Sequence, residues 1–166
     1  MKHTDVIRSV AMACRVKRYH TFPTIHEQTV AEHSHRVAMI YLQLFGTPRV
    51  EVLEYILKHD LGELGAGDTP FYSKRRVPEL KDATNKAEKL GLADLGITLP
   101  DLFPEEWQNF KVCDLLEMLE NGSIEEHMGN RYGRVVVENV MLALKGMVSD
   151  EEIGRCLQKL WPREIT

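Results

Sequence analysis

Cysteine is scarce in this chain of 166 residues, with three, at positions 14, 113 and 156. They show neither a CxxC spacing nor a paired pattern, which argues against a disulfide framework and for reduced thiols in an intracellular setting. Long apolar runs are missing too. None approaches the roughly 18 residues that suggest a membrane span, and Met1-Lys2-His3-Thr4-Asp5 carries no apolar stretch of the signal-peptide kind. A cytoplasmic protein is expected, with no membrane partner. Nor is there a basic excess. A net charge of -4 and a pI near 6.0 argue against coating a nucleic-acid polymer, but leave room for a small anionic ligand, because local charge decides that. No Walker loop or Gly-rich dinucleotide fingerprint occurs, so phosphoryl transfer between nucleotides is not expected. With no internal repeat and no dividing linker, one domain over residues 1–166 is expected.

What is present is helical periodicity. Thr4 or Asp5 can cap a helix bearing Val6, Ile7, Val10, Ala11 and Cys14 on one face. After the irregular segment His20–Thr24, Thr29-Val30-Ala31-Glu32 matches the capping box, opening a helix that Gly46-Thr47-Pro48 ends. Val50, Leu53, Ile56 and Leu57 mark the next helix, running into His59-Asp60. Gly62 to Pro78 is punctuated by Gly and Pro and reads as a structured loop. Pro78 suits the first turn of a helix reaching about Leu90. Pro104 starts an apolar helix closed by Asn121-Gly122, and Ser123 with Glu126 gives a second capping box. Val135, Val136 and Val137 lie in a further helix, and Ser149 caps a last one that stops at Trp161-Pro162. The fold class is all-α, a compact helical bundle.

Chemistry concentrates in three places. Glu32-His33 opens one helix, His59-Asp60-Leu61-Gly62-Glu63 ends another, and Asp114 sits in an apolar stretch. The N-terminal macrodipole disfavours a protonated His33, leaving a neutral ring able to bind a metal. His35 points elsewhere and reads as surface. Adjacent helical residues are rotated by about 100°, so His59 and Asp60 reach one ion only from a helix edge facing a cleft. Trp107, Phe110, Asp114 and Met118 share one stripe. A buried Asp114 needs a partner or a metal. Two imidazoles and two carboxylates form a mixed N/O set for a divalent ion, which makes water available as hydroxide near neutral pH. Converged, these pieces describe a metal-dependent hydrolase.

The ordered pattern Glu32-His33, His59-Asp60-x-x-Glu63, Gly67-Asp68-x-Pro70 and Lys111-x-x-Asp114 resembles the HD-domain phosphohydrolase superfamily. It is most similar to the small 5′-deoxynucleotidase branch and its compact phage relatives, the deoxyadenosine-triphosphate triphosphohydrolases. The match spans roughly residues 15 to 120. The resemblance implies that His33, His59, Asp60 and Asp114 are metal ligands, for Zn²⁺, Co²⁺, Mn²⁺ or Fe²⁺, with room for a second ion on the phosphates. It makes Glu63 the carboxylate that assists the water or protonates the leaving oxygen, and Asp68 an acid beside the sugar and scissile phosphate. Arg18, Lys74 and Lys111 match phosphate-binding cations. Tyr19 stands where an aromatic, often Trp, packs on the deoxyribose. The lead Arg18-Tyr19-His20-Thr21-x-Pro23 and the short chain favour release of deoxyadenosine and triphosphate from dATP. The alternatives are a 5′-deoxynucleotidase acting on dNMPs and an inactive nucleotide-binding module; the full set of six acidic and imidazole residues counts against the last. Relatives imply a homo-oligomer, dimer to hexamer, working in the cytoplasm (of the host, if phage-encoded).

Overall fold

The computed structural model describes residues 3–161. Among them lie eight α-helices and no named strand: α1 His3–Ala13, α2 Val30–Phe45, α3 Val50–Lys58, α4 Phe71–Arg76, α5 Pro78–Asp94, α6 Pro104–His127, α7 Arg131–Lys145 and α8 Asp150–Leu160. The all-α expectation holds. A 3₁₀ turn, Leu61–Leu64, follows α3 directly.

Helix α6 is the spine. Phe110, Val112, Cys113, Leu115, Leu116 and Leu119 meet Val37, Ile40 and Leu44 of α2, Ile56 of α3, Val140 and Leu144 of α7, and Ile153 of α8 in one apolar cluster. Burying each large aliphatic side chain contributes about 1.5–3 kcal/mol, so this cluster fixes the direction of α2, α3 and α6 together. A second, smaller cluster of Ala13, Val30, Leu61, Leu92 and Leu95 seats the 3₁₀ turn against α1, α2 and α5. All three cysteines are free thiols, and no described helix is long and apolar enough to cross a membrane.

Several local expectations hold. Thr29 caps α2 through the full capping box, Pro78 stands in the first turn of α5, and Ser149 caps α8 by accepting from the Glu152 amide. Others are corrected. Thr4 and Asp5 lie inside α1, which is described from His3. The stretch from Gly62 to Pro78 is not all loop, since it holds the 3₁₀ turn and α4. Helix α5 continues past Leu90 to Asp94. The stop of α8 at Leu160 agrees with Trp161, whereas Pro162 lies outside the described residues.

The largest correction concerns α6, which runs through Asn121-Gly122 to His127. Gly122 is a packing glycine here. A Cβ on Gly133 of α7 would come within 2.5 Å of the Gly122 carbonyl oxygen, so the two helices cross almost backbone to backbone. Ser123 is no cap, because its hydroxyl donates to Leu119 O one turn back. The chain reverses at Gly129, whose φ of 93° suits glycine.

Candidate metal centre

The site lies where the first third of the chain is folded over α6. After α1 the backbone forms an isolated antiparallel bridge between Lys17 and Thr29. The Arg18 amide donates to Gln28 O at 2.8 Å and the Val30 amide to Val16 O at 2.9 Å. This closes the loop between them and aims Arg18 inward. His33 follows in the first turn of α2 and is fully buried. His59 caps the C-terminus of α3, Asp60 opens the 3₁₀ turn, and Glu63 is buried inside that turn. Lys111, Asp114 and Glu117 recur every three residues along α6.

These side chains converge. Nε2 of His33 lies 3.1 Å from Oδ1 of Asp114 and 3.6 Å from Oδ2 of Asp60; Nε2 of His59 lies 3.2 Å from Oδ1 of Asp60. Neither buried Nε2 makes a hydrogen bond of proper geometry. His33, His59 and Asp60 each offer one ligand atom, all within 4.8 Å of one another. Asp114 adjoins this trio through His33 and is engaged by Lys111 Nζ. Opposite, Arg18 Nη1 sits 2.6 Å from Asp60 Oδ2.

The outer nitrogens are held just as firmly. Nδ1 of His59 faces Ile56 O at 2.7 Å, and Nδ1 of His33 lies 2.6 Å from Glu117 Oε2. The other Glu117 oxygen accepts from Gln28 Nε2 at 2.7 Å and lies 3.4 Å from Arg36 Nε. With Nδ1 of each ring directed at an acceptor, Nε2 is the nitrogen turned towards the centre, where a metal would replace the proton that His33, contrary to the neutral ring expected from the helix dipole, otherwise holds. Sequence reasoning missed Glu117 and Gln28. Glu117 was detectable as a second acid in the apolar run of α6, one turn beyond Asp114; nothing in the sequence marked Gln28.

Charge in the pocket is uneven. Burial works against ionised Asp60 and Asp114, yet His59 and Arg18 around the first, and Lys111 and His33 around the second, hold both well below the usual carboxylate range. Burial and the Arg18 charge oppose a proton on His33, but Asp114 and Glu117 outweigh them and push its pKa up to about 9. A site that draws a proton this strongly draws a divalent cation for the same reason. The two unbonded Nε2 atoms beside carboxylates therefore fit a mixed N/O ion. Glu63 differs: burial first, and neighbouring Asp60 second, push its carboxyl up to about 9.

His59, Asp60, Glu63 and Asp114 form the floor of a cleft of about 800 Å³, with fully buried His33 behind Asp60 and Asp114. Trp107, Phe110, Asp114 and Met118 all line it, as their shared stripe predicts, and so do Arg18, Tyr19, Lys74 and Lys111. Lys74 Nζ lies 3.7 Å from Glu88 Oε1. Tyr19 adopts a left-handed backbone, φ 57°, with its amide donating to Asp68 Oδ2 at 3.0 Å. Its buried hydroxyl has no partner. Phe22 also lines the cleft, while Ile25 points to solvent. His35 is exposed, as its position on α2 implies.

A helical fold that gathers two imidazoles and two aspartates from α2, the junction of α3 with the 3₁₀ turn, and α6 beside a cation-lined cleft defines a narrow structural class. The chain belongs to the HD-domain family, whose pattern matches residues 13–121. The dATP triphosphohydrolase of cyanophage S-2L is 29% identical over 111 residues, covering 63% of this chain. That match spans 62% of the relative's length, less than two thirds. Among solved structures, the S-2L HD phosphohydrolase bound to dA and one catalytic Zn²⁺ ion superposes with a TM-score of 0.64 at 25% identity, over 95% of this chain and 92% of that one. An HD-domain phosphohydrolase from Listeria innocua shares the fold, with a TM-score of 0.68 at 18% identity over 99% and 88% of the two chains.

Proposed function

We propose that this chain is a metal-dependent deoxynucleotide phosphohydrolase that converts dATP to deoxyadenosine and triphosphate, the whole chain acting as one HD-domain unit. The observation that carries the proposal is the pair of buried, unbonded imidazole nitrogens of His33 and His59, which face the carboxylates of Asp60 and Asp114 that line a cation-lined cleft. Similarity to the S-2L enzyme supports the choice of substrate.

In this reading His33, His59, Asp60 and Asp114 hold the ion, Zn²⁺, Co²⁺ or Mn²⁺, with space for a second at the phosphates. A divalent ion bound there lowers the pKa of water and neutralises phosphoryl charge. The protein's own groups supply the rest. Arg18, Lys74 and Lys111 bind and orient the phosphates, since positioning and charge stabilisation dominate phosphoryl chemistry. Hydrolysis adds one water across the ester: hydroxyl to the α-phosphorus, a proton to the departing 5′ oxygen. Glu63, kept protonated by its burial, is placed to hand over that proton. Asp68 fixes Tyr19, whose ring packs on the deoxyribose. A homo-oligomer in the cytoplasm is the expected working form.

A substrate panel on metal-loaded protein tests this by chromatography. Deoxyadenosine and inorganic triphosphate in equal amounts from dATP are expected. Orthophosphate from dNMPs, with dATP untouched, would instead identify a 5′-deoxynucleotidase.

A further inference from the structure

Five basic side chains line the cleft: Arg18, Lys74, Arg75, Lys81 and Lys111. Three are already matched by an acid, Arg18 by Asp60, Lys111 by Asp114 and Lys74 by Glu88. Arg75 and Lys81 are not, and both are exposed. With Glu63 protonated, the lining sets five cations against the carboxylates of Asp60, Asp68, Glu88 and Asp114, and Arg75 and Lys81 are the cations with no ion-pair partner to hold them from an incoming anion.

Their placement says which anion. Pro78, Lys81, Asn85 and Glu88 all line the cleft, and their spacing of three, four and three residues puts them on one face of α5. Glu88 is the end nearest the candidate centre: a Cβ on Gly62, the residue before Glu63, would lie 2.2 Å from the Glu88 carbonyl oxygen. Seven residues earlier, Lys81 lies roughly 10 Å further along the helix axis. Arg75 enters the same cleft from the last turn of α4. A monophosphate held at the centre would end short of Lys81, whereas the terminal phosphates of a triphosphate would extend towards it.

We propose that Arg75 and Lys81 form a distal phosphate subsite that reads polyphosphate length, so that this cleft favours triphosphates over monophosphates. The inference rests on the phosphohydrolase reading of the centre. Arg75 supplies a planar fork suited to two phosphate oxygens and Lys81 a mobile point charge. Because both face solvent, each is worth about tenfold in affinity rather than the larger factor of a buried pair.

The test compares wild type with the double variant Arg75→Ala/Lys81→Ala, and with Lys86→Ala/Lys89→Ala, which removes the same charge from α5 outside the cleft. Two measurements are made on metal-loaded protein, with bound metal quantified before and after: steady-state KM for dATP, and calorimetric affinity for inorganic triphosphate against orthophosphate. The expected result is a 10- to 100-fold rise in KM and a matching loss of triphosphate affinity in the first variant only, with orthophosphate affinity altered less than threefold. Equal effects in both variants, or equal losses for triphosphate and orthophosphate, overturn the subsite. If wild type turns over no dATP, the functional proposal fails, while the triphosphate titration still decides whether the subsite exists.

Discussion

Gly62 and Gly91 are the contact through which the 3₁₀ turn meets α5, and replacing Gly91 by Ala should disable the site without unfolding the protein. A Cβ on Gly91 would lie 2.2 Å from the Gly62 carbonyl oxygen and 3.0 Å from its carbonyl carbon. Both atoms are backbone, so no side chain can swing aside. Restoring ordinary contact requires the turn to retreat by about 1 Å. Asp60 and Glu63 flank Gly62 and must move with it. Overpacking of this kind costs about 1–3 kcal/mol, while the gain in helix propensity over glycine returns about 1 kcal/mol. The net loss is therefore about 0–2 kcal/mol, or a Tm lower by up to roughly 8 °C for a chain of this size. Misplacing reacting groups by about 1 Å costs on the order of 100-fold in rate. Gly154→Ala is the matched control, since nothing lies within 4 Å of its added Cβ; in α8 it should raise Tm by roughly 1–4 °C with activity intact. Calorimetric scans and dATP turnover on the two variants decide the matter. If Gly91→Ala gains stability and keeps wild-type turnover like Gly154→Ala, the close contact is not what positions Asp60 and Glu63.

Three further outcomes are expected. Glu117→Gln keeps the shape of the buried network but weakens its hold on His33 Nδ1, so metal affinity by chelator competition should fall about 10- to 100-fold; unchanged affinity would show that Glu117 does not orient His33. Asp60→Ala should lose both metal, read by elemental analysis, and turnover, and full activity in that variant would refute the centre. Glu63 titrates at about 9 in the folded chain against an ordinary 4.5. Its contribution to the stability of metal-free protein is therefore present below pH 4.5 and is lost as pH rises towards 9. Glu63→Gln should flatten that part of the Tm–pH profile and abolish turnover; an unaltered profile would mean the carboxyl is ionised at neutral pH.

The helices were legible where periodicity and caps agree. Thr29 with Glu32, Pro78 and Ser149 each encode a helix start in chemistry that acts over three residues. The end of α6 was not legible, because Asn-Gly signals a stop locally. Only the approach of Gly133, eleven positions further on, shows that Gly122 serves a helix crossing instead. The same division runs through the site. Single residues of metal-binding type at His33, His59, Asp60 and Asp114 are visible in the sequence. Glu117 is visible as a second acid in the apolar run of α6 and Gln28 is not, and the role of both depends on a contact between α6 and the loop before α2 that no local pattern specifies. Arg18 and Lys111 are visible as cations, but only packing shows that each lies against an acid of the centre.

Tyr19 carries a consequence for how ligands enter. Its left-handed backbone costs about 1–2 kcal/mol for a residue with a side chain, and the charged hydrogen bond from its amide to Asp68 offsets that by about 1.5–3 kcal/mol. The loop before α2 and the loop before α4 are therefore latched at one point. Tyr19 keeps its place in the cleft wall through a bond made by its backbone rather than by its ring. The segment before α4 therefore shapes the part of the wall that the segment before α2 supplies, and a change at Asp68 acts on the cleft without touching the metal ligands.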